Sequence, residues 1–507
     1  MSKVLLINPN KWGRGITAIW IASHSSALKS EGHEVSLFDS TFYEDWTVDE
    51  TSYNTSNEQY RETDYSKFIN YSSVPIKEAL QEKINEFNPD IIFWSAISSH
   101  IHGEGEYVNV QYGYDLLSSV SHNALLVTGG LQVTADAKSM LNIMEDTDFL
   151  IRGESELVLT ELATRFSDKK NTVHEIRGLS YVNEEGNYVE NQPQEIISDM
   201  DIFGPYDYSL FDDQTFFRPY NGSVVRAIDF ELSRGCIYAC EYCVETVIQR
   251  YYGFNETSKR GSILKANKYL RNKSAEMIFQ EIETLNREKN INFFRCQDTN
   301  FLTIKREVLQ KLSDLINQSD LDIMLYIETR PEGINHKSIE LLMKLKVDGV
   351  GMGIELAGDE FREDKLSRYA STEKIINAFK LLKEAGIKRT TYNIIGLPEQ
   401  DESSILNTIE FNRLLNPDNA TIAFYSPYIG TAQQLKSKEL GYFDDYEFEV
   451  DGQLRTLSKD SLLDSSLLQF YKEKFNYFLK NGLDDLQNIK KEYGLTESEE
   501  IPSLSIK

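Results

Sequence analysis

Three of the chain's four cysteines lie in one ten-residue stretch, RGCIYACEYC, at Cys236, Cys240 and Cys243. Because cysteine is so rare in this sequence, a chance triplet at such spacing is roughly a one-in-thousands event. Four cysteines in 507 residues cannot form a disulfide scaffold. Thiolates are soft ligands that select zinc, copper(I) or iron-sulfur clusters. The triplet therefore predicts a metal or cluster site.

The first part of the chain alternates short apolar runs with helical patterns. The runs that predict strands lie at 4–8, 34–39, 90–98, 124–130 and 148–154. Continuous apolar strands separated by helices indicate a parallel sheet that is covered on both faces. We therefore predict a doubly wound, Rossmann-like α/β domain over residues 1–165, with its ligand beyond the carboxyl ends of the strands.

A second α/β alternation follows a hairpin and connector at 166–222, where 178–191 has two alternating runs around Glu-Gly. Between 223 and 440 the predicted strands lie at 228–233, 291–297, 321–327, 347–355, 388–395 and 419–426. Six βα units suit a partial (β/α)6 barrel of the TIM type better than a full barrel, which needs about 250 residues. Residues 441–507 are predicted to form a helical C-terminal region.

The cysteine triplet directly follows the first predicted barrel strand, where barrel enzymes keep their reactive groups. Structural zinc sites usually have four ligands in two paired arms, and the sequence has no second CxxC or HxxxH arm. A cubane cluster bound by three cysteines leaves one iron open for a small molecule. The alternative is a zinc site completed by a histidine or by Cys296, although Cys296 is favoured as an ordinary buried thiol.

The CxxxCxxC spacing, with the aromatic Tyr242 before the last cysteine, resembles the radical SAM superfamily. The resemblance implies that Cys236, Cys240 and Cys243 bind a [4Fe-4S] cluster whose open iron chelates S-adenosylmethionine (SAM), and that Tyr242 lies at the cofactor. It also implies an external one-electron reductant of the flavodoxin or ferredoxin type. SAM would be cleaved to methionine and a 5'-deoxyadenosyl radical that abstracts a substrate hydrogen, while the barrel supplies orientation.

Other residues at predicted strand ends match the same superfamily in order. Asp298 resembles the polar residue that meets the amino end of SAM, although it could instead cap the following helix. Arg330 and Arg368 are candidates for binding the methionine carboxylate, and surface charge is the alternative for both. Glu355 resembles the acid that binds the ribose hydroxyls. The turn at Gly396 resembles the one whose backbone contacts adenine.

The order of a Rossmann-like domain, a connector and this barrel resembles the cobalamin-binding radical SAM class. Gly129 and Gly130 end the fourth predicted strand, where glycine would let a flat corrin tail approach the backbone. A tight turn between strand and helix is the alternative. The stretches IRGESE at 151–156 and DMDIFGPYDYSLF at 199–211 are further matches. The resemblance thus implies cobalamin as a third cofactor.

The loop after the first strand departs from the pattern of classical cobalamin domains. Those domains carry DxHxxG, whereas this loop reads Asn8-Pro9-Asn10-Lys11-Trp12-Gly13. A histidine ligand for cobalt from this loop is therefore excluded, although many members of the class bind cobalamin without one. His100 and His102 could approach a bound ligand, but solvent-facing loop histidines are the alternative.

Composition and missing motifs exclude several other classes. The formal net charge of −27 disfavours nucleic acids and anionic membranes as partners. The first apolar run ends at Asn8, too early for a signal peptide or a membrane span, so a cytoplasmic location is expected. No G-x-G-x-x-G follows the first strand and no G-x-S-x-G is present, which disfavours nicotinamide enzymes and Ser-His-Asp hydrolases.

These observations favour a cobalamin-dependent radical SAM enzyme that methylates carbon in a small-molecule or peptide substrate. The first alternative is a radical SAM oxidase, cyclase or rearrangement enzyme that does not methylate. A non-catalytic iron-sulfur or zinc-binding protein is the second. Six βα units with polar strand ends argue against that second alternative, because an electron carrier needs no such platform.

Overall fold

Two seven-stranded sheets organise the protein, for which a computed structural model was obtained. The described residues are 1–12, 16–47, 63–64, 66–95, 110–168, 172–425, 427–441 and 463–495. None of the helices in these ranges is both long enough and apolar enough to cross a lipid bilayer.

The first sheet has the strand order β2-β1-β3-β4-β5-β6-β7. Its strands are β1 (Lys3–Asn8), β2 (Glu34–Asp39), β3 (Ile91–Ser95), β4 (Leu125–Gly129), β5 (Phe149–Ile151), β6 (Leu179–Val182) and β7 (Tyr188–Glu190). Strands β1 to β5 pair in parallel, and the β6–β7 hairpin adds two antiparallel strands at the edge. The predicted Rossmann-like fold and the hairpin are both confirmed.

Helices cover both faces of the first sheet. They are α1 (Ile19–Ser30), α2 (Ile76–Phe87), α3 (Val110–Leu117), α4 (Leu131–Ala135), α5 (Ala137–Ile143) and α6 (Glu156–Ser167). Val4 and Leu6 belong to the apolar cluster on one side of the sheet, whereas Leu5 and Ile7 belong to the cluster on the other. Because side chains alternate across a strand, a strand buried on both faces is apolar at every position.

The second sheet contains the six predicted parallel strands and one antiparallel edge strand. In sheet order they are β8 (Phe217–Tyr220), β9 (Ser223–Phe230), β12 (Phe293–Cys296), β13 (Met324–Glu328), β14 (Val347–Glu355), β15 (Lys388–Ile395) and β16 (Asn419–Phe424). A separate two-stranded ribbon pairs β10 (Ser233–Arg234) with β11 (Arg271–Asn272). The partial barrel is therefore confirmed.

The remaining helices surround the barrel and form the C-terminal region. They are α7 (Glu245–Tyr251), α8 (Ala266–Tyr269), α9 (Ala275–Lys289), α10 (Arg306–Gln318), α11 (His336–Lys344), α12 (Asp359–Leu366), α13 (Thr372–Glu384), α14 (Glu402–Leu415), α15 (Ala432–Glu439), α16 (Ser465–Asn481) and α17 (Leu486–Glu492). Helix α13 shows typical boundaries: Ser371 caps its N-terminus, and Gly386 follows with a φ of 72°. Leu468 and Phe475 of α16 share an apolar cluster with Ile395 and Ile422 of the barrel.

Candidate active site

The cysteine loop lies between β10 and α7 and is held by buried polar side chains of that helix. Glu245 accepts a hydrogen bond from the Cys236 amide (3.1 Å) and another from the hydroxyl of Tyr269 (2.7 Å). Gln249 donates to the carbonyl oxygens of Cys236 and Tyr238, each at 2.9 Å. Because these partners are themselves buried, the loop has a fixed backbone conformation.

The three thiols of this loop are suited to binding a metal cluster. Cys236 and Cys240 are buried and Cys243 is half-buried. Burial, with a contribution from Glu245, raises the pKa of the Cys236 thiol to about 12, and burial likewise raises the pKa of Cys243 well above its usual value. Cys236 and Cys243 therefore hold their protons until a metal replaces them, since metal ligation requires the thiolate. Loading of the site is therefore expected to release protons.

Cys296 is separate from the cysteine loop. It lies at the end of β12 inside the main apolar cluster, is 1% exposed, and its pKa is raised well above the usual value by burial. Cys296 is therefore a buried core thiol, as the sequence indicated. Within the described ranges, no three or more His, Cys, Asp and Glu side chains are grouped to hold a metal ion.

Arg330 connects the end of β13 to the cysteine loop. Its Nη1 lies 3.3 Å from the Sγ of Cys240, and its guanidinium lies 3.6 Å from the ring centre of Tyr238. A carboxylate oxygen of Glu332 lies 2.6 Å from the same guanidinium. Burial favours the neutral form of Glu332, but the charge of Arg330 outweighs burial and lowers the pKa of Glu332. Since Arg330 is 6% exposed, the surface-charge alternative is wrong for it. A cation at this position would stabilise negative charge on the Cys240 sulfur.

Tyr242, Glu355 and Arg368 meet beside the cysteine loop. The hydroxyl of Tyr242 donates to Oε1 of Glu355 at 2.8 Å, and Nη1 of Arg368 lies 3.3 Å from the same oxygen. Burial raises the pKa of Tyr242 well above its usual value, and Glu355 adds to the effect. Burial works against the charge of Arg368, but Tyr242 and Glu355 raise its pKa. Arg368 is 5% exposed, so it too is not a surface charge.

An irregularity in β14 creates the position of Glu355. The pairing of β14 with β15 shifts register between Gly353 and Glu355, and Glu355 has a left-handed φ of 62°. The carbonyl of Gly353 accepts a hydrogen bond from Nη2 of Arg368. A left-handed, non-glycine residue at a strand end costs backbone energy and is commonly found at functional sites.

Replacing Gly353 by alanine is expected to weaken SAM binding. An added Cβ would overlap Oε1 of Glu355 and lie 3.2 Å from Nη2 of Arg368. The added methyl would displace Glu355 and Arg368 from the positions proposed to bind SAM, and a cost of about 1–3 kcal/mol corresponds to roughly 5- to 150-fold weaker binding. Isothermal titration with SAM measures the effect, and Gly186→Ala, in an open hairpin turn, is the control. Equal affinity of Gly353→Ala and Gly186→Ala would contradict this prediction.

Asp298 and Gly396 are buried near the carboxyl ends of strands β12 and β15. Oδ1 of Asp298 accepts hydrogen bonds from the Leu232 amide (3.2 Å) and the Ser233 hydroxyl (2.5 Å). Asp298 thus fixes the turn that leads into the cysteine loop, while Asn300 is the residue that begins the next short helix. Gly396 has a φ of 81°, and its amide donates to Gln400 at 2.7 Å. Their predicted contacts with SAM stay predictions.

A comparison with family models identifies the part of the chain that contains the cysteine loop. Residues 230–411 match the model of the radical SAM superfamily. They form a radical SAM domain. The match begins at the end of β9 and includes the cysteine loop together with Arg330, Glu355 and Arg368. The superfamily implies a [4Fe-4S] cluster and SAM as cofactors, and three desolvated thiols beside a guanidinium fit that cluster as ligands.

The chain is also similar to two curated proteins over most of its length. It is 25% identical over 463 residues to the anaerobic magnesium-protoporphyrin IX monomethyl ester cyclase of Rubrivivax gelatinosus, covering 88% of this chain and 72% of the cyclase. It is 26% identical over 351 residues to an uncharacterised methyltransferase of Pyrococcus horikoshii, covering 69% of each.

Two solved structures share the fold of both domains. The radical SAM methyltransferase TsrM from Kitasatospora setae matches with a TM-score of 0.62 at 19% identity, covering 87% of this chain and 76% of TsrM. The cobalamin-dependent SAM radical enzyme OxsB matches with a TM-score of 0.57 at 13% identity, covering 98% of this chain and 62% of OxsB. The two domains of this chain therefore have the fold of TsrM and OxsB.

A cavity lies where the first sheet meets the radical SAM domain. Ser95, Gly130 and Gly153, at the ends of β3, β4 and β5, line it together with Arg234 and Arg271 of the β10–β11 ribbon. Gly130 has a φ of 136°, which favours glycine. A Cβ on its neighbour Gly129 would lie 3.2 Å from the carbonyl oxygen of Ile151. Gly129 thus serves strand packing, and Gly130 is the member of the pair that reaches the cavity.

The loop after β1 uses its asparagines within the first domain. Nδ2 of Asn8 donates to Asp39 (3.0 Å), and Nδ2 of Asn10 donates to Thr41 (2.9 Å). Lys11 lies over the rings of Trp46 and Tyr112, at 4.3 and 4.1 Å, and burial lowers its pKa. Gly13, His100 and His102 lie outside the described residues, so their predicted roles stay open.

An ion network joins the radical SAM domain to the first domain, and the sequence did not predict it. Arg234 binds Glu156 at 2.7 Å and Glu231 at 3.0 Å, and Arg271 binds Glu154 at 2.8 Å. The two acids from the first domain belong to the IRGESE stretch. Their partners are 78 and 117 residues away, so no local sequence pattern connects them.

Proposed function

We propose that this chain is a cobalamin-dependent radical SAM enzyme that methylates carbon in a small-molecule or peptide substrate. The proposal rests on the cavity that lies where the two domains meet. The carboxyl edge of a Rossmann-like sheet is where such folds bind ligands, and here Gly130 at that edge shares a cavity with the ribbon leading into the cysteine loop. A ligand in this cavity would therefore lie beside the cluster loop.

Different residues of the radical SAM domain would bind the cluster and SAM. Cys236, Cys240 and Cys243 would bind the cluster, and Arg330 would stabilise its negative charge through Cys240. When bound, the cluster, SAM and cobalamin supply one-electron cleavage of SAM and methyl transfer to carbon. Tyr242 and Arg368 orient Glu355, which would accept hydrogen bonds from the ribose hydroxyls.

The first domain suits a corrin that is held without an imidazole from the loop after β1. Asn10 stands where the imidazole ligand would be and Asn8 where its acidic partner would be, and both amides bind neighbouring side chains of the first domain. Gly130, with no Cβ, leaves backbone exposed to the cavity. Recognition of cobalamin would thus rest on shape and backbone contacts.

Radical ring closure or oxidation without methyl transfer is the second candidate. The observation in its favour is the similarity to the Rubrivivax cyclase, which extends over 88% of this chain. The Pyrococcus relative, named as a methyltransferase, and the fold match to TsrM support the first candidate.

Formation of S-adenosylhomocysteine separates the two candidates. Protein reconstituted anaerobically with iron, sulfide and hydroxocobalamin, then reduced with dithionite in the presence of SAM, is expected to form both S-adenosylhomocysteine and 5'-deoxyadenosine. Protein loaded with the cluster alone is the matched control and should form only 5'-deoxyadenosine. Bound corrin with no S-adenosylhomocysteine would favour the second candidate. Failure to retain corrin would contradict the cobalamin proposal.

A further inference from the structure

A basic segment covers the cysteine loop of an otherwise acidic chain. Residues 255–270, here called the basic segment, contain four cations, Lys259, Arg260, Lys265 and Lys268, and only one acid, Glu256. All four cations are exposed. The whole chain carries a formal charge of −27, so this segment has the opposite sign to the chain as a whole.

The basic segment pairs directly with the backbone between two of the cluster cysteines. The Ala239 amide donates to the carbonyl of Gly261 (2.8 Å), and the Ile263 amide donates to the carbonyl of Ile237 (2.7 Å). Tyr238 and Ser262 form an antiparallel bridge between them. Paired strands lie about 5 Å apart. The basic segment is therefore the outer wall of the loop from Cys236 to Cys240.

The cations of this wall are available to a partner. In the described part of the chain, none of the four has a carboxylate within salt-bridge distance. Leu264, between them in sequence, is 46% exposed and adds an apolar contact. An exposed apolar side chain flanked by charges is typical of a protein interface in which the charges steer association.

We propose that the basic segment is the docking surface for an acidic one-electron donor protein of the flavodoxin or ferredoxin type. The proposal rests on the radical SAM function of the chain and not on methylation. One electron leaves the donor's redox group and enters the cluster; the donor is oxidised by one electron, the cluster is reduced by one, and no bond forms or breaks. Elsewhere the net negative charge repels an acidic donor, so association concentrates at this wall.

Charge reversal in the basic segment tests the proposal through binding. The variant Lys259→Glu/Arg260→Glu changes two exposed cations. Lys265→Asn/Lys268→Glu is a second variant, in which asparagine suits the left-handed φ of 62° at Lys265. The matched control is Lys344→Glu/Lys383→Glu, because these exposed lysines lie in the last turns of helices α11 and α13, at the opposite edge of the barrel.

The readout is the Kd of a purified flavodoxin for the full-length chain, measured by isothermal titration at low and high salt. Each basic-segment variant is expected to raise the Kd at least about fivefold at low salt, and the control is expected to leave it unchanged. High salt should reduce the difference, because exposed charges are screened. SAM cleavage driven by dithionite should be equal in all variants, since this small reductant needs no docking surface.

Three results would overturn the proposal. They are equal Kd values for the basic-segment variants and the control, binding of RNA or anionic vesicles in place of flavodoxin, and loss of dithionite-driven cleavage in the variants. The last result would mean that the segment is needed for the site itself. Failure of dithionite-driven cleavage in the unaltered chain would instead contradict the radical SAM function, and it would leave the flavodoxin Kd measurable.

Discussion

Replacing Cys236, Cys240 or Cys243 by alanine is expected to abolish formation of 5'-deoxyadenosine from SAM. Each residue contributes one thiol to a single loop, and the described structure offers no replacement thiol in that loop. Loss of an outer partner of a metal ligand costs about 10–100-fold in metal affinity or activity, so loss of a ligand should cost more than about a hundredfold. Anaerobic reconstitution followed by chromatography of the products measures the effect, and iron and sulfide analysis reports the cluster.

Cys296→Ala is the matched control for these three variants. Cys296 is packed in the core at the end of β12, so its loss removes one sulfur from an apolar cluster and should leave the iron content and the SAM cleavage rate unchanged. Loss of iron in Cys296→Ala would indicate that this thiol is a metal ligand and would contradict its assignment as a core thiol. Persistent SAM cleavage in any of the three loop variants would contradict the cluster assignment.

Features encoded by short sequence patterns could be predicted. Strands β2, β14 and β15 lie at the predicted bounds, because β-branched and apolar runs between polar turns are local signals. The CxxxCxxC triplet is local too, since one loop holds all three thiols. Local patterns therefore predicted the strands of both sheets and the place of the cysteine loop.

Features that depend on distant residues could not be predicted. The left-handed φ of Glu355 arises from a register shift against β15, which no pattern in β14 itself encodes. From the sequence, Arg330 and Arg368 could be either cofactor-binding residues or surface charges. Only the packing of the barrel shows that both are buried. Asp298 does not cap the next short helix, which begins at Asn300, but accepts hydrogen bonds from Leu232 and Ser233; its contact with SAM stays a prediction. Burial and pairing at such positions are decided by tertiary structure.

Arg234→Met is expected to destabilise the protein by about 3–5 kcal/mol at neutral pH, because it leaves buried acids without their cation. Arg234 lies two residues before Cys236 and binds Glu156 and Glu231, whose side chains are 4% and 3% exposed. The guanidinium thereby fixes the start of the cysteine loop to the first domain. Urea denaturation measures the change in the free energy of unfolding, and Arg287→Met, at an exposed surface pair, is the control expected to show no change.

The pH dependence of Arg234→Met distinguishes loss of charge pairing from loss of packing. Burial favours the neutral form of Glu156, but Arg234 and His24 outweigh it and lower its pKa from 4.5 to about 2. The ionised carboxylate therefore stabilises the native protein above pH 4.5, and this contribution is lost as the pH falls from there towards 2. In Arg234→Met, burial acts without the guanidinium, so the pKa of Glu156 should rise and the deficit in stability should shrink as the pH is lowered from 7 to 5. A deficit that stays constant over this range would mean that Arg234 stabilises the domain junction by packing alone.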